Sequence, residues 1–360
     1  MLKKKVVHIV GNRPQFIKLA PVSAQLRERG AEELIIHTGQ HYDANMSDIF
    51  FEELGIPKPY INLGIGSGSH AEMTAKALCG LERELEKISP DIALIYGDTD
   101  STLAGALAAS KLNIPLAHIE AGERTFNKTN PEEKNRIVAD HLSDLLFCSD
   151  NSSYENLGKE GCGDHAFVVG DVMYDTYKRC TGIEKKKVCS EDYVLMTWHR
   201  AENTCSYERM NNILEMIRQI PELVICPMHP RTRTKLQEYD LMSKAEQLDN
   251  FEVISPLGYL EMMNYVSGCK WILTDSGGLS KESSFAGVRC LFMLELDVWK
   301  ELRDCGWITQ VNPDNKEDVE NKIRLSRSFV KVDEKDVPHF FGDGNASGKI
   351  VDILQQKQYI

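Results

Sequence analysis

Three acidic or polar clusters stand where a strand–helix chain would end successive strands. Gly97-Asp98-Thr99-Asp100-Ser101-Thr102 follows the apolar run 92–96, and His118-Ile119-Glu120-Ala121-Gly122 follows 114–117. The third is Pro131-Glu132-Glu133-Lys134-Asn135-Arg136. Open parallel sheets bind ligands at the carboxyl ends of their strands, so these carboxylates are expected to converge on one crevice. Carboxylates that share a pocket are pushed to different pKa values, which yields one acid and one base. The chemistry implied is proton transfer. Asp98 leads the set, because Gly97 and Thr99 frame it at a strand end; its plainer role would be to cap the next helix. Glu120 holds the equivalent place one strand on. Glu132 and Arg136 are four apart and share a helix face, where the plainer reading is a surface salt bridge.

A second group of residues suits an anion. Gly11-Asn12-Arg13-Pro14-Gln15-Phe16-Ile17-Lys18 follows the first strand and opens a helix. Free amides at the helix start, with Arg13 and Lys18, favour negative charge. The segment is neither Gly-x-Gly-x-x-Gly nor a Walker loop, so a dinucleotide fingerprint is absent. Thr274-Asp275-Ser276-Gly277-Gly278 takes the matching place in the second half. Its glycines let backbone approach a diphosphate, Ser276 adds a hydroxyl, and Glu282 could accept from a ribose diol. His199-Arg200 and His229 follow two further strands and would stabilise a departing diphosphate. Taken singly, each of these is also what an ordinary turn or a structural histidine looks like.

The elements that must position these residues alternate regularly. Apolar runs at 5–10, 33–37, 92–96, 115–118, 145–148 and 166–169 form one series. A second series lies at 193–197, 223–226, 251–254, 271–274, 289–293 and 307–311. Amphipathic stretches such as 14–29, 70–88, 101–112 and 208–219 fill the gaps. This predicts an α/β fold with two parallel sheets. The 360 residues also favour two domains. The stretch 182–191, with Lys185-Lys186-Lys187, has no apolar periodicity and is expected to be the linker. The domains are thus 1–182, carrying the acid/base carboxylates, and 190–345, binding the anion; 346–360 is a final helix.

A net charge of −12 argues against nucleic acid or an anionic membrane surface as partner. The ten cysteines include no Cys-x-x-Cys pair, which suits reduced thiols in the cytoplasm and no metal site. The first apolar run is too short for a signal peptide or a membrane helix.

Together these segments resemble the non-hydrolysing UDP-N-acetylglucosamine 2-epimerases over essentially the whole chain. The matches are 11–18, His37-Thr38-Gly39-Gln40-His41, 97–102, 118–122, 131–136, 199–203, His229-Pro230, 275–278 with Glu282, and 342–346. The resemblance implies two Rossmann-like domains facing a cleft, as in glycosyltransferase-B folds, with the last helix returning to the first domain. It implies a UDP-sugar substrate, no nicotinamide cofactor, and a homodimer. It implies elimination of UDP to a 2-acetamidoglucal, then re-addition. Asp98, Glu120 and Glu132 would be the acid/base carboxylates. Arg13, Lys18, Arg136 and His229 would hold the diphosphate or steady the cleaved state; Ser276, Gly277 and Gly278 would bind phosphate, and Glu282 ribose.

The sequence also departs from the family. The loop 123–130 is short and lacks a Trp-Pro pair. Segment 294–299 lacks Arg-Asp-Thr-Thr-Glu, and Ser280 stands where Gln is usual. Pro14–Lys18 segment residues, Phe126-Asn127 and Gly258-Tyr259-Leu260-Glu261-Met262 resemble a branch that acts on UDP-2,3-diacetamido-2,3-dideoxyglucuronate for surface polysaccharide. Both sugars therefore stay open. A UDP-sugar glycosyltransferase is a further alternative, although it has no use for three clustered carboxylates.

Overall fold

Strands that are apolar at every position belong to sheets covered on both faces. Ile92 to Tyr96 and Trp271 to Leu273 are of this kind, and every residue in both runs is buried. The structure is a computed structural model. It describes residues 3–39, 50–181, 191–295, 299–333, 336–337 and 339–360. The expected linker run Lys185-Lys186-Lys187, Gln40-His41 and residues 296–298 lie outside the described residues.

The first sheet has strands β1 (Lys5–Val10), β2 (Glu32–His37), β3 (Ile61–Asn62), β4 (Ile92–Tyr96), β5 (Leu116–Ile119), β6 (Leu145–Cys148) and β7 (Ala166–Val168). Their spatial order is β3-β2-β1-β4-β5-β6-β7, and every pair is parallel. The second sheet has β8 (Tyr193–Thr197), β9 (Leu223–Pro227), β10 (Phe251–Ile254), β11 (Trp271–Thr274), β12 (Cys290–Phe292) and β13 (Ile308–Gln310). Its order is β10-β9-β8-β11-β12-β13, again parallel. In each sheet the order reverses beside the first strand, between β1 and β4 and between β8 and β11. That switch point is where doubly wound sheets bind ligands.

Two compact units result: Met1–Arg179 with His339–Ile360, and Cys180–Pro338. In the first, the helix Ala346–Gln356 packs against the helix Arg13–Glu28. Asp175 holds its start, accepting from Ala346 N at 3.0 Å and Ser347 N at 2.7 Å. The core of the second unit gathers Trp198, Trp271, Met196 and Leu291.

Local capping corrects one expectation. Thr99, and not Asp98, caps the helix Asp100–Lys111; its hydroxyl accepts from Thr102 N, and the Thr102 side chain answers to Thr99 N. Asp98 is therefore released from a capping role. Pro14 lies in the first turn of its helix, behind the cap Asn12. Cys148, Cys162, Cys226, Cys269 and Cys290 are buried free thiols. Among the described residues no helix is long and apolar enough to cross a membrane.

Candidate active site

In the first unit the site starts from backbone that only certain residues tolerate. Gly97 ends β4 with φ +61, and a Cβ there would sit 3.1 Å from Lys18 Nζ and 3.2 Å from Glu120 Oε2. Glu120 itself has φ 69, a left-handed conformation costly for a residue with a side chain. Such strain persists where surrounding contacts hold it. Here the Glu120 carboxylate pairs with Lys18, and both side chains are 9% exposed.

Asp98 is the neighbouring carboxylate. Arg136 Nη2 stands 2.5 Å from its Oδ2. Its side chain is 28% exposed, the most open in this group. Asn135 Nδ2 donates to Asp98 O at 2.9 Å and so fixes the turn. Burial pushes the Asp98 carboxyl up, but Arg136 and Lys18 outweigh it and hold it below the ordinary carboxylate range. Two carboxylates and two cations thus surround Gly97, at the switch point of the sheet.

The partner of Arg136 differs from the expected one. Arg136 Nη1 lies 3.2 Å from Glu133 Oε2 and Nη2 binds Asp98, so the 132–136 salt bridge does not form. Glu133 is buried, and it also accepts from Thr125 N at 2.9 Å and Phe126 N at 2.8 Å. It clamps the loop in which Phe126 has φ 58 and is largely exposed. Glu132 is half-buried at the first turn of the helix Pro131–Leu142. Among the described residues its carboxylate takes part in no hydrogen bond or ion pair.

The β1 turn is filled by a residue that sequence reasoning missed. Gln15 Oε1 accepts from Gly11 N at 2.6 Å, and its Nε2 donates to Tyr96 O at 2.7 Å. Nε2 also reaches Thr99 Oγ1 and Thr102 Oγ1. Gln15 thus ties β1 to the turn carrying Asp98. Gly11 has no room for a Cβ, which would collide with the Ser101 and Thr38 hydroxyls. Lys18 reaches the carboxylates from one turn further along the helix. Arg13 lies with its guanidinium 4.3 Å over the Phe50 ring.

In the second unit, β8 and β11 run side by side with Thr197 opposite Thr274, their hydroxyls 2.5 Å apart. Asp275 follows at once and is fully buried. It accepts from His199 N, Arg200 N at 2.9 Å and Asn203 Nδ2 at 3.1 Å, and His199 Nδ1 lies 3.0 Å away. Burial raises the Asp275 carboxyl; His199 and the amides more than reverse this, so it stays charged. The His199 and His229 rings are 5.4 Å apart. His229 Nδ1 accepts from Arg231 N at 3.1 Å, which leaves Nε2 as the donor. Asp275 is the second residue that sequence reasoning passed over. Its place between a buried strand and two glycines was the available signal.

Ser276 caps the helix Gly277–Phe285 through Leu279 N. Gly277 has neither positive φ nor crowding, since a Cβ there would meet nothing within 4 Å. The fold does not require glycine at 277. Open space above a helix start is what a bound anion needs. Glu282 is buried on the same helix, and Lys281 lies beside it with Nζ 4.0 Å over the Trp299 ring. Among the described residues no group of three or more His, Cys, Asp or Glu is placed to hold a metal ion.

Comparison with known proteins agrees across nearly the whole chain. The family model described as UDP-N-acetylglucosamine 2-epimerase matches residues 24–355. A Methanococcus maripaludis protein named UDP-N-acetylglucosamine 2-epimerase homolog is 46% identical, over 98% of this chain and 99% of its own. A Pseudomonas aeruginosa UDP-2,3-diacetamido-2,3-dideoxy-D-glucuronate 2-epimerase is 42% identical, over 97% of this chain and 99% of its own. The crystal structure of Methanocaldococcus jannaschii UDP-GlcNAc 2-epimerase in complex with UDP-GlcNAc and UDP superimposes with TM-score 0.89 at 38% identity. That match covers 98% of this chain and 99% of the other.

Proposed function

The chain belongs to the UDP-N-acetylglucosamine 2-epimerase family, and from that premise we propose that it interconverts UDP-N-acetylglucosamine and UDP-N-acetylmannosamine without hydrolysis. One observation carries the reading. Asp98 and Glu120 stand on adjacent turns, each paired with a cation, around a glycine where a Cβ would crowd Lys18 and Glu120.

Inverting C2 needs a base for one face and an acid for the other. In the proposed route a carboxylate removes the C2 proton, and that electron pair forms the C1–C2 double bond. The C1–O pair leaves with UDP, which gives a 2-acetamidoglucal. UDP then returns to C1 while a carboxylic acid delivers a proton to the opposite face of C2. No hydride moves, so the route calls for no nicotinamide. Asp98, Glu120 and Glu132 are the proposed acid/base set. Lys18, Arg13, Arg136 and His229 stabilise the charge that develops on the diphosphate. His199, Arg200, Ser276, Gly277 and Gly278 would bind the phosphates, and Glu282 the ribose.

The ion pairs bear on timing. An anion arriving beside Arg136 competes with Asp98 for its charge. The carboxylate then gains basicity when a base is required.

A second substrate is supported by one finding. The 42% identical Pseudomonas relative bears the name of a UDP-2,3-diacetamido-2,3-dideoxy-D-glucuronate 2-epimerase. Buried free thiols such as Cys148 and Cys226 suit a reducing compartment, and we place the enzyme in the cytoplasm; by its family resemblance we propose a homodimer.

Incubation with a panel of UDP-sugars, read by proton NMR, tests the reading. A mixture of UDP-N-acetylglucosamine and UDP-N-acetylmannosamine from either one supports it. Conversion of the diacetamidoglucuronate alone would assign the second substrate. Conversion of none would refute both.

A further inference from the structure

One buried carboxylate is shared between the 125–126 turn and the cation that holds Asp98. Glu133 is 2% exposed. Its Oε1 accepts from Phe126 N at 2.8 Å. Its Oε2 accepts from Thr125 N at 2.9 Å, Thr125 Oγ1 at 3.0 Å and Arg136 Nη1 at 3.2 Å. The Arg136 contact is the longest of these, and the same guanidinium places Nη2 2.5 Å from Asp98 Oδ2. The turn is costly to hold. A left-handed phenylalanine is an outlier among L residues, and the Phe126 ring is also 73% exposed. Strain of that kind lasts under firm local contacts, and here two carboxylate oxygens grip two successive amides.

Donors on one oxygen compete for its charge. Burial raises the Glu133 carboxyl; the Thr125 and Phe126 amides, then the Thr125 hydroxyl and Arg136, hold it below its ordinary range. The turn is thus the chief partner of Glu133, and Arg136 is left mainly to Asp98. If the turn lets go, the buried carboxylate must draw on Arg136, since an unpaired charge is costly there. Asp98 then loses part of its counter-charge. Burial raises the Asp98 carboxyl, and Arg136, then Lys18, then His118 on β5, bring it down. Around it, Glu120 is paired with Lys18, and Asp100 lies 2.8 Å from His70 Nδ1. Arg136 also feels Glu123, together with Asp98 and Glu133.

We propose that Glu133 is a positioning residue that divides the Arg136 guanidinium between itself and Asp98, with the grip of the 125–126 turn deciding how much charge reaches Asp98. A turn that holds Glu133 keeps Asp98 ionised and weakly basic. A turn displaced by bound sugar releases Glu133 toward Arg136 and leaves Asp98 the stronger base. The exposed Phe126 ring is the part of the turn that a ligand can meet. This deepens the epimerase reading and rests on it for the effect on rate. The sharing of charge does not depend on that reading.

The test reads two substitutions of opposite sign. Glu133→Gln removes the competitor for Arg136, so the acid limb of kcat/KM should move to lower pH. Thr125→Val removes one donor and leaves Glu133 to draw on Arg136, so the limb should move to higher pH. Loss of scaffold alone would lower Tm in both and move the limb the same way or not at all, and either result would overturn the proposal. Phe126→Gly keeps the amide and suits a left-handed turn, so the limb should stay where it is. A limb moved by that change would put control in the ring and overturn the amide clamp. If Glu133→Gln does not fold, Thr125→Val decides. Carbon-13 NMR of protein labelled in aspartate carboxyls follows Asp98 directly, as the signal missing from Asp98→Asn, and should show the same two signs. If the wild type converts no UDP-sugar, the epimerase reading fails while these carboxyl titrations still report on the sharing of charge. An Asp98 signal that neither Glu133→Gln nor Thr125→Val moves would overturn it.

Discussion

Arg136 reaches across 38 residues of chain to put Nη2 2.5 Å from Asp98 Oδ2, while its Nη1 holds Glu133 three residues away. One guanidinium thus links the Asp98 carboxylate to the clamp on the 125–126 loop.

Removing that charge should appear in the pH profile. The folded Asp98 carboxyl lies below its ordinary range, so its share of stability is present above the unfolded pKa and is lost as pH falls through the folded value. In Arg136→Gln the acid limb of kcat/KM should move to higher pH, and acid unfolding should begin at higher pH. A pH titration of rate and of circular dichroism checks both.

Gly97→Ala should cost about 1–2 kcal/mol, because φ +61 is left-handed. Its methyl would also press on Lys18 and Glu120, so the rate should fall by far more than stability accounts for. Thermal melts beside kcat measure the two separately.

Gly277→Ala should behave in the opposite way. Its Cβ enters open space at a helix start, so Tm should hold or rise slightly. Affinity for UDP, read by calorimetry, should drop about tenfold or more if that space receives phosphate. Unchanged affinity would move the phosphate site elsewhere.

Much of this architecture was legible, and the losses have physical causes. Unbroken apolar runs such as 92–96 announce buried parallel strands, and β4 and β8 fall where those runs lie. β3 is two residues with no apolar run, so nothing marks it beforehand. The partner of Arg136 was unreadable, since spacing along a helix suggests only local acids and Asp98 comes from another strand. The phase of that helix was readable. Glu133, Arg136 and Asp140 recur at helical spacing and are all buried, so Glu133 faces inward and Glu132 does not. The roles of Gln15 and Asp275 depend on strand neighbours, which a linear reading does not supply.

The central claim is that a carboxylate beside Gly97 takes and returns the C2 hydrogen. Turnover in heavy water tests it most directly, with the sugar recovered after equilibration and read by mass and proton NMR. The account predicts one deuterium at C2 in both epimers, and exchange slowed by about 10²–10⁴ in Asp98→Asn with UDP still bound. Equilibrated epimers that carry no deuterium at C2 would contradict it.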